Sequence, residues 1–406
     1  MPQARKYVII IPDGAADEPV EALGGRTPLQ AARLPHCDQV AAEGMIGLAR
    51  NVPERFLPAS DVATLSLFGY DPERYYTGRA PLEAAAMGVT LGCHDWAVRC
   101  NLMTILEGRI TDFTAGHITN AEAAQLMAAL ASELGSPRYE FYAGVSYRNL
   151  LVIRGRPNED PFDDSTTTTP PHDVPDRPAA DHLPRGTGSQ ELRQLMEAGS
   201  RIVAAHPVNA QRIANGQRPA NAIWLWGQGQ APALPRFIDL RGLKGAIITA
   251  VDLVRGTAAL AGWTRIDAPG ATGYLDTDYA SKGHVAIEAL RDHDLVCVHI
   301  EAPDEASHEG RPDAKVEALE RIDELIVGPL LNTLRKHYPR HRLLISPDHS
   351  TLLRTRAHDR APVPWAMSGE GISGSGLTYD EFAARSPGCP MIDQGYRLMD
   401  RFLEST

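Results

Sequence analysis

The sequence predicts an α/β protein, a three-layer α/β/α core that carries a smaller α+β insert, and three observations point there. First, Tyr7-Val8-Ile9-Ile10-Ile11 has no polar alternation. Such a strand belongs in the middle of a parallel sheet with helices on both faces. Second, Leu295-Val296-Cys297-Val298-His299-Ile300 and Arg342-Leu343-Leu344-Ile345 are of the same kind, and the segment between them spaces Val316, Leu319, Ile322, Ile326 and Leu330 by threes and fours. That spacing predicts an amphipathic helix over 314–338, bent near Pro329, and strand, helix and strand make a βαβ unit. Third, residues 163–188 crowd Asp, Thr, Pro and Gly, as in Asp163-Asp164-Ser165-Thr166-Thr167-Thr168-Thr169-Pro170-Pro171. This composition reads as an ordered loop or hinge.

Around that loop lie shorter alternating runs, Trp96 to Leu102 and Tyr147 to Ile153. The expected organisation is therefore a discontinuous core, 1–95 and 222–406, enclosing a cap or substrate domain, 96–221. At 406 residues the chain has room for both.

Hydrophobic content of 43% and charged content of 22% are ordinary globular values. A net charge of -11 argues against nucleic acid or an anionic membrane as partner, so an anionic substrate has to be met by a local metal or arginine. The cysteines Cys37, Cys93, Cys100, Cys297 and Cys389 form no CxxC pair, which suggests neither a thiolate metal site nor a disulfide framework and reads as a reducing, cytoplasmic compartment. Tyr7 to Ile11 is too short for a signal segment, and no apolar run approaches the roughly 20 residues that span a bilayer. A soluble, unprocessed protein is expected, with no signal for its oligomeric state.

Carboxylates and imidazoles gather just past the three strands: Asp13 after the first, Asp304 and His308 after the second, Asp348 and His349 after the third, with His358 nine residues on. Asp304 and His308, four apart, share one face of a helical turn. A single such pair is as often a surface ion pair or a cap. Six groups converging at strand ends are not, because this is where an α/β sheet collects catalytic groups. Aspartate with neutral imidazole suits Mn²⁺, Zn²⁺, Co²⁺ or Mg²⁺. Three carboxylates and one ionised serine would bring about four negative charges, enough for two divalent ions.

Ser60, in Leu57-Pro58-Ala59-Ser60-Asp61-Val62-Ala63, fits the missing serine, at the start of a helix whose free N–H groups favour an alkoxide and a bound phosphate. Its bland alternative is an N-cap serine. The weakly spaced Gly371, Gly374 and Gly376 do not form a dinucleotide loop, and no GxxxxGK[ST] segment appears. His36, His94, His284, His293 and His299 read as structural or exposed, and Trp224-Leu225-Trp226 as a buried aromatic strand end.

The strings Ile11-Pro12-Asp13-Gly14-Ala15-Ala16-Asp17, Ser60-Asp61-Val62-Ala63, Gly69-Tyr70-Asp71-Pro72, Tyr76-Thr77-Gly78-Arg79, Ala302-Pro303-Asp304-Glu305-Ala306-Ser307-His308 and Ser346-Pro347-Asp348-His349 resemble the archaeal-type cofactor-independent phosphoglycerate mutases, of the alkaline phosphatase superfamily, over nearly the whole chain. The resemblance implies an alkaline-phosphatase-like fold, with Asp304, His308 and His358 on one metal and Asp13, Ser60, Asp348 and His349 on the other. It also implies two divalent ions, manganese first, and no 2,3-bisphosphoglycerate. Ser60 would take the phosphoryl group of 3-phosphoglycerate and return it to the 2-hydroxyl while a cap excludes water.

For the substrate's anionic groups the sequence offers Arg148, Arg185, Arg255 and Lys282, and for its hydroxyl protons His117. His172 is a weaker candidate that orders the hinge loop. The rival readings are phosphotransfer to another acceptor, since bacterial relatives of the family have been proposed as homoserine kinases, and a metal-dependent phosphatase.

Overall fold

The computed structural model describes residues 5–404. In chain order its strands are β1 (Lys6–Pro12), β2 (Met45–Ala49), β3 (Trp96–Leu106), β4 (Arg109–Asp112), β5 (Tyr139–Val145), β6 (Arg148–Ile153), β7 (Ala222–Gln230), β8 (Gly245–Ile248), β9 (Thr264–Ile266), β10 (Leu295–Ile300), β11 (His341–Ile345), β12 (Ser350–Leu352), β13 (Ala357–Asp359), β14 (Val363–Gly369) and β15 (Met391–Ile392). The chain falls into two compact units, one built from the chain up to Tyr76 and from Leu234 onward, the other from Thr77–Ala233.

The first unit is organised by an eight-stranded sheet in the order β15-β2-β14-β11-β1-β10-β8-β9. Strands β11, β1, β10, β8 and β9 are parallel, and β14 turns antiparallel to β11. Alternate residues of the apolar strands enter different layers. Val8, Ile10, Val296, Val298, Leu343 and Ile345 pack with the helices Pro35–Glu43, Tyr279–Ala289, Pro312–Ile322 and Gly328–His337. Ile9, Ile11, Leu295, Cys297 and Leu344 pack with Ser60–Leu67, Asp252–Leu260 and Arg397–Leu403. Each such side chain removed from water contributes about 1.5–3 kcal/mol, which is why these strands tolerate no polar alternation. The α/β class and its three layers are as the sequence predicts.

Two details refine the βαβ reading. Strands β10 and β11 are parallel, but β1 lies between them. The helix expected over 314–338 is two helices joined by a π-turn, Asp323–Val327. Pro329 has no N–H to offer the carbonyl four residues back, and the ladder widens there. The freed Leu325 carbonyl lies where a side chain on Gly283 would be, 2.5 Å from an added Cβ.

The second unit is α+β. Strand β3 pairs antiparallel with β4, β6 and β7, and β6 with β5. The helices Asn120–Leu134 and Ser189–Ala205 cover a core that includes Val98, Cys100, Leu102, Trp224 and Trp226. Residues 77–95 and 222–233, expected in the first unit, belong here: β7 pairs with β3 from Trp96 to Met103, and the helix Arg79–Ala86 lays Ala80 and Ala84 against Ala97, Leu150 and Val152. Segment 163–188 holds two short 3-10 turns and two bridges, Thr167 to Arg185 and Pro178 to Arg109.

Candidate active site

The chemistry follows from the parallel strands, because chains leaving β1, β10 and β11 emerge along one edge. Pro12 is in register with Ile300, and Ile10 with Ile345. Strand β1 runs straight into Asp13, which is fully buried. Gly14 follows with φ +61, and a Cβ there would stand 2.5 Å from Asp304 Oδ1 and 2.6 Å from Thr351 Oγ1. Only glycine meets both the left-handed backbone and the close approach. Strand β10 continues through Glu301 into the helix Ala302–His308, which stacks Asp304 under His308 with Oδ2 3.0 Å from Nε2. Past β11 come Asp348 and His349, and the ribbon β12–β13 brings His358 back opposite Thr351.

The six fall in two clusters, Asp304 with His308 and His358, and Asp13 with Asp348 and His349, and Asp13 also groups with His299 and Glu301. In the second, His349 Nε2 lies 3.5 Å from Asp13 Oδ1 and 3.4 Å from Asp348 Oδ2. Ser60 is the first residue of its helix, not the cap, and its Oγ lies 3.1 Å from the same Nε2. Asp61 beside it is buried and accepts the Tyr76 hydroxyl at 2.6 Å. Asn51 Nδ2 donates to the carbonyls of Pro347 and Asp348, which fixes the turn that aims the carboxylate.

The donor set fits divalent cations. Each imidazole turns Nδ1 to an oxygen: His308 to the Arg356 carbonyl at 2.9 Å, His358 to the Pro58 carbonyl at 3.3 Å, and His349 to Thr351 Oγ1 at 3.2 Å. A carbonyl demands the N–H, so at His308 and His358 it is Nε2 that is left for an ion, as in histidines that ligate a metal through one nitrogen and donate from the other. Nε2 of His308 and of His358 are then 3.0 Å apart, a repulsive contact unless a positive charge sits by them. Asp13 Oδ1 and Asp348 Oδ2 are buried with no hydrogen-bond partner, a costly state that a cation relieves.

Without an ion, these groups hold protons in place of its charge. Burial, then the charge of Asp348, pushes Asp13 well above the usual carboxylate range. Burial also works against ionised Asp304, but the bonds from His308 and His358 overcome it and hold that carboxyl well below its ordinary value. His308, bonded to Asp304, is raised to about 9.

Of the residues expected around the metals, the six ligands fall in the two clusters and Ser60 beside His349, all in the first unit. Arg255 donates to the Thr249 carbonyl at 3.0 Å and pairs with Asp267. Lys282 lies on the helix Tyr279–Ala289. It is 1% exposed, its ammonium donates to the His299 carbonyl at 3.2 Å, and burial lowers it to about 8. In the second unit His117 is exposed with φ +50, Arg148 is exposed at the start of β6 and lies over the Tyr147 ring, and exposed Arg185 donates to the Asp181 carbonyl. His172 packs edge-on to Phe113 and Trp226, where burial lowers it to about 4.

Sequence reasoning missed two sets of residues. His299, set aside as structural, sends Nε2 to Asp13 Oδ2 at 2.9 Å and Nδ1 to Thr249 Oγ1 at 3.1 Å, with Glu301 beside it. Its signal is an imidazole inside an otherwise apolar strand, where burial obliges it to find partners. Arg99, inside Val98-Arg99-Cys100, is 2% exposed, pairs with Glu83 at 2.9 Å and stacks 4.2 Å from the Trp226 ring, with Arg79 over the same ring.

Comparison with known proteins gives this site a family. The family model for 2,3-bisphosphoglycerate-independent phosphoglycerate mutase matches residues 41–209. The mutase of that name from Methanothrix thermoacetophila is 49% identical over 389 residues, 96% of this chain and 97% of that one. A probable mutase of the same name from Geobacter sulfurreducens is 46% identical over 405 residues, 98% and 100% of the two chains. Among solved structures, a Pyrococcus horikoshii protein superposes with TM-score 0.82 at 27% identity over 99% of both chains. The cofactor-independent phosphoglycerate mutase of Thermoplasma acidophilum does so with TM-score 0.67 at 27% identity over 98% of this chain and 99% of its own. With close relatives matched over almost their full length, the chain belongs to the 2,3-bisphosphoglycerate-independent phosphoglycerate mutases, a family of isomerases.

Proposed function

We propose that the chain interconverts 3-phosphoglycerate and 2-phosphoglycerate through a phosphoserine on Ser60, without 2,3-bisphosphoglycerate. The observation that carries this reading is Ser60 Oγ at 3.1 Å from His349 Nε2, within a cluster whose carboxylates have unpartnered oxygens. Asp304, His308 and His358 would hold one divalent cation, and Asp13, Ser60, Asp348 and His349 the other. Bound there, such ions, manganese first, lower the serine pKa and offset charge on the attacking and leaving oxygens of an in-line displacement.

The residues do the rest. Ser60 Oγ bonds to phosphorus as the ester bond to the 3-oxygen breaks, and that oxygen takes a proton. The freed 2-hydroxyl then attacks the phosphoserine, gives up its proton, and Ser60 leaves. His117 is suited to carry these protons, and Arg148, Arg185 and Arg255 to hold carboxylate and phosphate through their planar forks. Lys282 is the further candidate for the substrate's anionic groups. The second unit acts as the cap that keeps water from the phosphoserine.

The test is a coupled assay of purified, Mn²⁺-loaded protein on 3-phosphoglycerate with no 2,3-bisphosphoglycerate, following 2-phosphoglycerate and free phosphate together. Chelator-sensitive 2-phosphoglycerate without phosphate release is the expected result. Phosphate alone would replace the mutase with a phosphatase, and neither product would point to phosphotransfer, tested next with homoserine and ATP.

A further inference from the structure

One buried hydroxyl touches both clusters. Thr351 is fully buried on β12, and its Oγ1 lies 2.5 Å from Asp304 Oδ1 and 3.2 Å from His349 Nδ1. A hydroxyl has one proton to give and lone pairs to receive. The hydroxyl donates to the Asp304 carboxylate, the shorter of the two contacts, and its oxygen accepts from His349 Nδ1–H. The direction of the first bond therefore sets the second. His349 is held in the tautomer whose Nε2 lone pair faces Asp13, Asp348 and Ser60, and the anchor is a carboxylate of the other cluster.

The backbone of Thr351 is held as firmly as its hydroxyl. Its carbonyl accepts from Lys315 Nζ at 2.8 Å, and that ammonium also donates to Asp17 Oδ2 at 2.9 Å, in a pair with no exposed side-chain surface. Its N–H donates to the Ala16 carbonyl, and in the ribbon it stands opposite His358. A β-branched side chain on a strand has few rotamers to choose from, so little freedom is left at Oγ1.

We propose that Thr351 is a positioning residue that couples the two cation sites. A cation held by Asp304 fixes that carboxylate against Thr351 Oγ1, and Thr351 in turn fixes His349 toward the second cluster. The two cations then bind cooperatively. This inference rests on the two-cation reading, and its test separates the two.

The test is a Mn²⁺ titration of metal-free wild-type protein, Thr351→Ser and Thr351→Val by calorimetry, with bound metal counted by elemental analysis and folding checked by melting of the metal-free forms. Removal of an outer-shell partner weakens metal affinity about 10–100-fold. Thr351→Val should bind the second equivalent that much more weakly and lose cooperativity between the two. Thr351→Ser, which keeps the hydroxyl, should behave as wild type. If Thr351→Val does not fold, Thr351→Ala, which asks less of the space, is held to the same expectation. Two equivalents bound by the hydroxyl-free variant with unchanged affinity would overturn the coupling and leave the two-cation site standing. A serine variant as weak as valine would also overturn it, since packing of the methyl would then be the cause. A wild-type protein that binds no divalent ion would remove the two-cation reading itself.

Discussion

At the scale of single residues, the site depends on lone pairs with nowhere else to go. A serine hydroxyl is a poor nucleophile until its proton is displaced, and Ser60 is placed against the Nε2 of His349 rather than capping its own helix. Ser60→Ala should lower turnover by roughly 10³-fold or more, yet leave both cations bound, because six of seven donors remain. Steady-state assay beside elemental analysis checks this, and normal turnover would end the covalent route. Gly14 makes a different kind of demand. Gly14→Ala meets the left-handed penalty of about 1–2 kcal/mol and a collision with Asp304 and Thr351, so stability and metal affinity should fall together. Gly24→Ala is the control, since Gly24 has φ +69 but nothing within 4 Å of an added Cβ. It should lower the melting temperature alone.

Individual elements are held by partners far away in sequence. The helix Pro35–Glu43 has no side chain of its own at the N-cap, Leu34, and its free N–H groups at His36 and Cys37 are taken instead by Asp323, from the π-turn. In the second unit, Asp95 closes the start of β3. It accepts from Gly92 and Gly155 N–H and from Arg154 Nη1 at 2.6 Å. Burial works against its charge, but these bonds prevail and lower its pKa from 3.8. A carboxyl depressed on folding stabilises the fold above its unfolded pKa and loses that contribution as pH falls through the folded value. Asp95→Asn should therefore cost about 1–2 kcal/mol at pH 7, seen as a lower melting temperature, and the gap to wild type should close towards pH 3. A gap that persists in acid would mean that Asp95 acts by shape and not by charge.

At the scale of the whole molecule, the two units have separate cores, and every proposed metal ligand belongs to the first. A ligand that binds only the folded state stabilises it by about 2.7 kcal/mol at one hundred times its dissociation constant. Mn²⁺ should accordingly slow hydrogen exchange in β1, β10, β11 and the helix Ala302–His308, with little change in β3, β6 and β7. Exchange mass spectrometry with and without chelator reads this directly. Equal protection of β3 would show that metal binding is felt across both units. No helix among the described residues is long and apolar enough to cross a membrane.

The sequence by itself determined the α/β class, the strands that carry the site and the donors at their ends. Those signals are local: a strand buried on both faces must be apolar throughout, and a parallel sheet delivers whatever follows each strand to one edge. Asp304 and His308, four apart, and the bend ahead of Pro329 were legible for the same reason. Only the tertiary structure decided which strands are neighbours, with β1 between β10 and β11, and gave the helix Arg79–Ala86 and β7 to the second unit. It alone showed His299 holding Asp13 across 286 residues, Asp323 capping a distant helix, and Thr351 bridging Asp304 and His349. A buried polar group must be satisfied, but the requirement is met by whatever the fold brings within 3 Å or so. Composition and spacing along the chain carry no record of that distance.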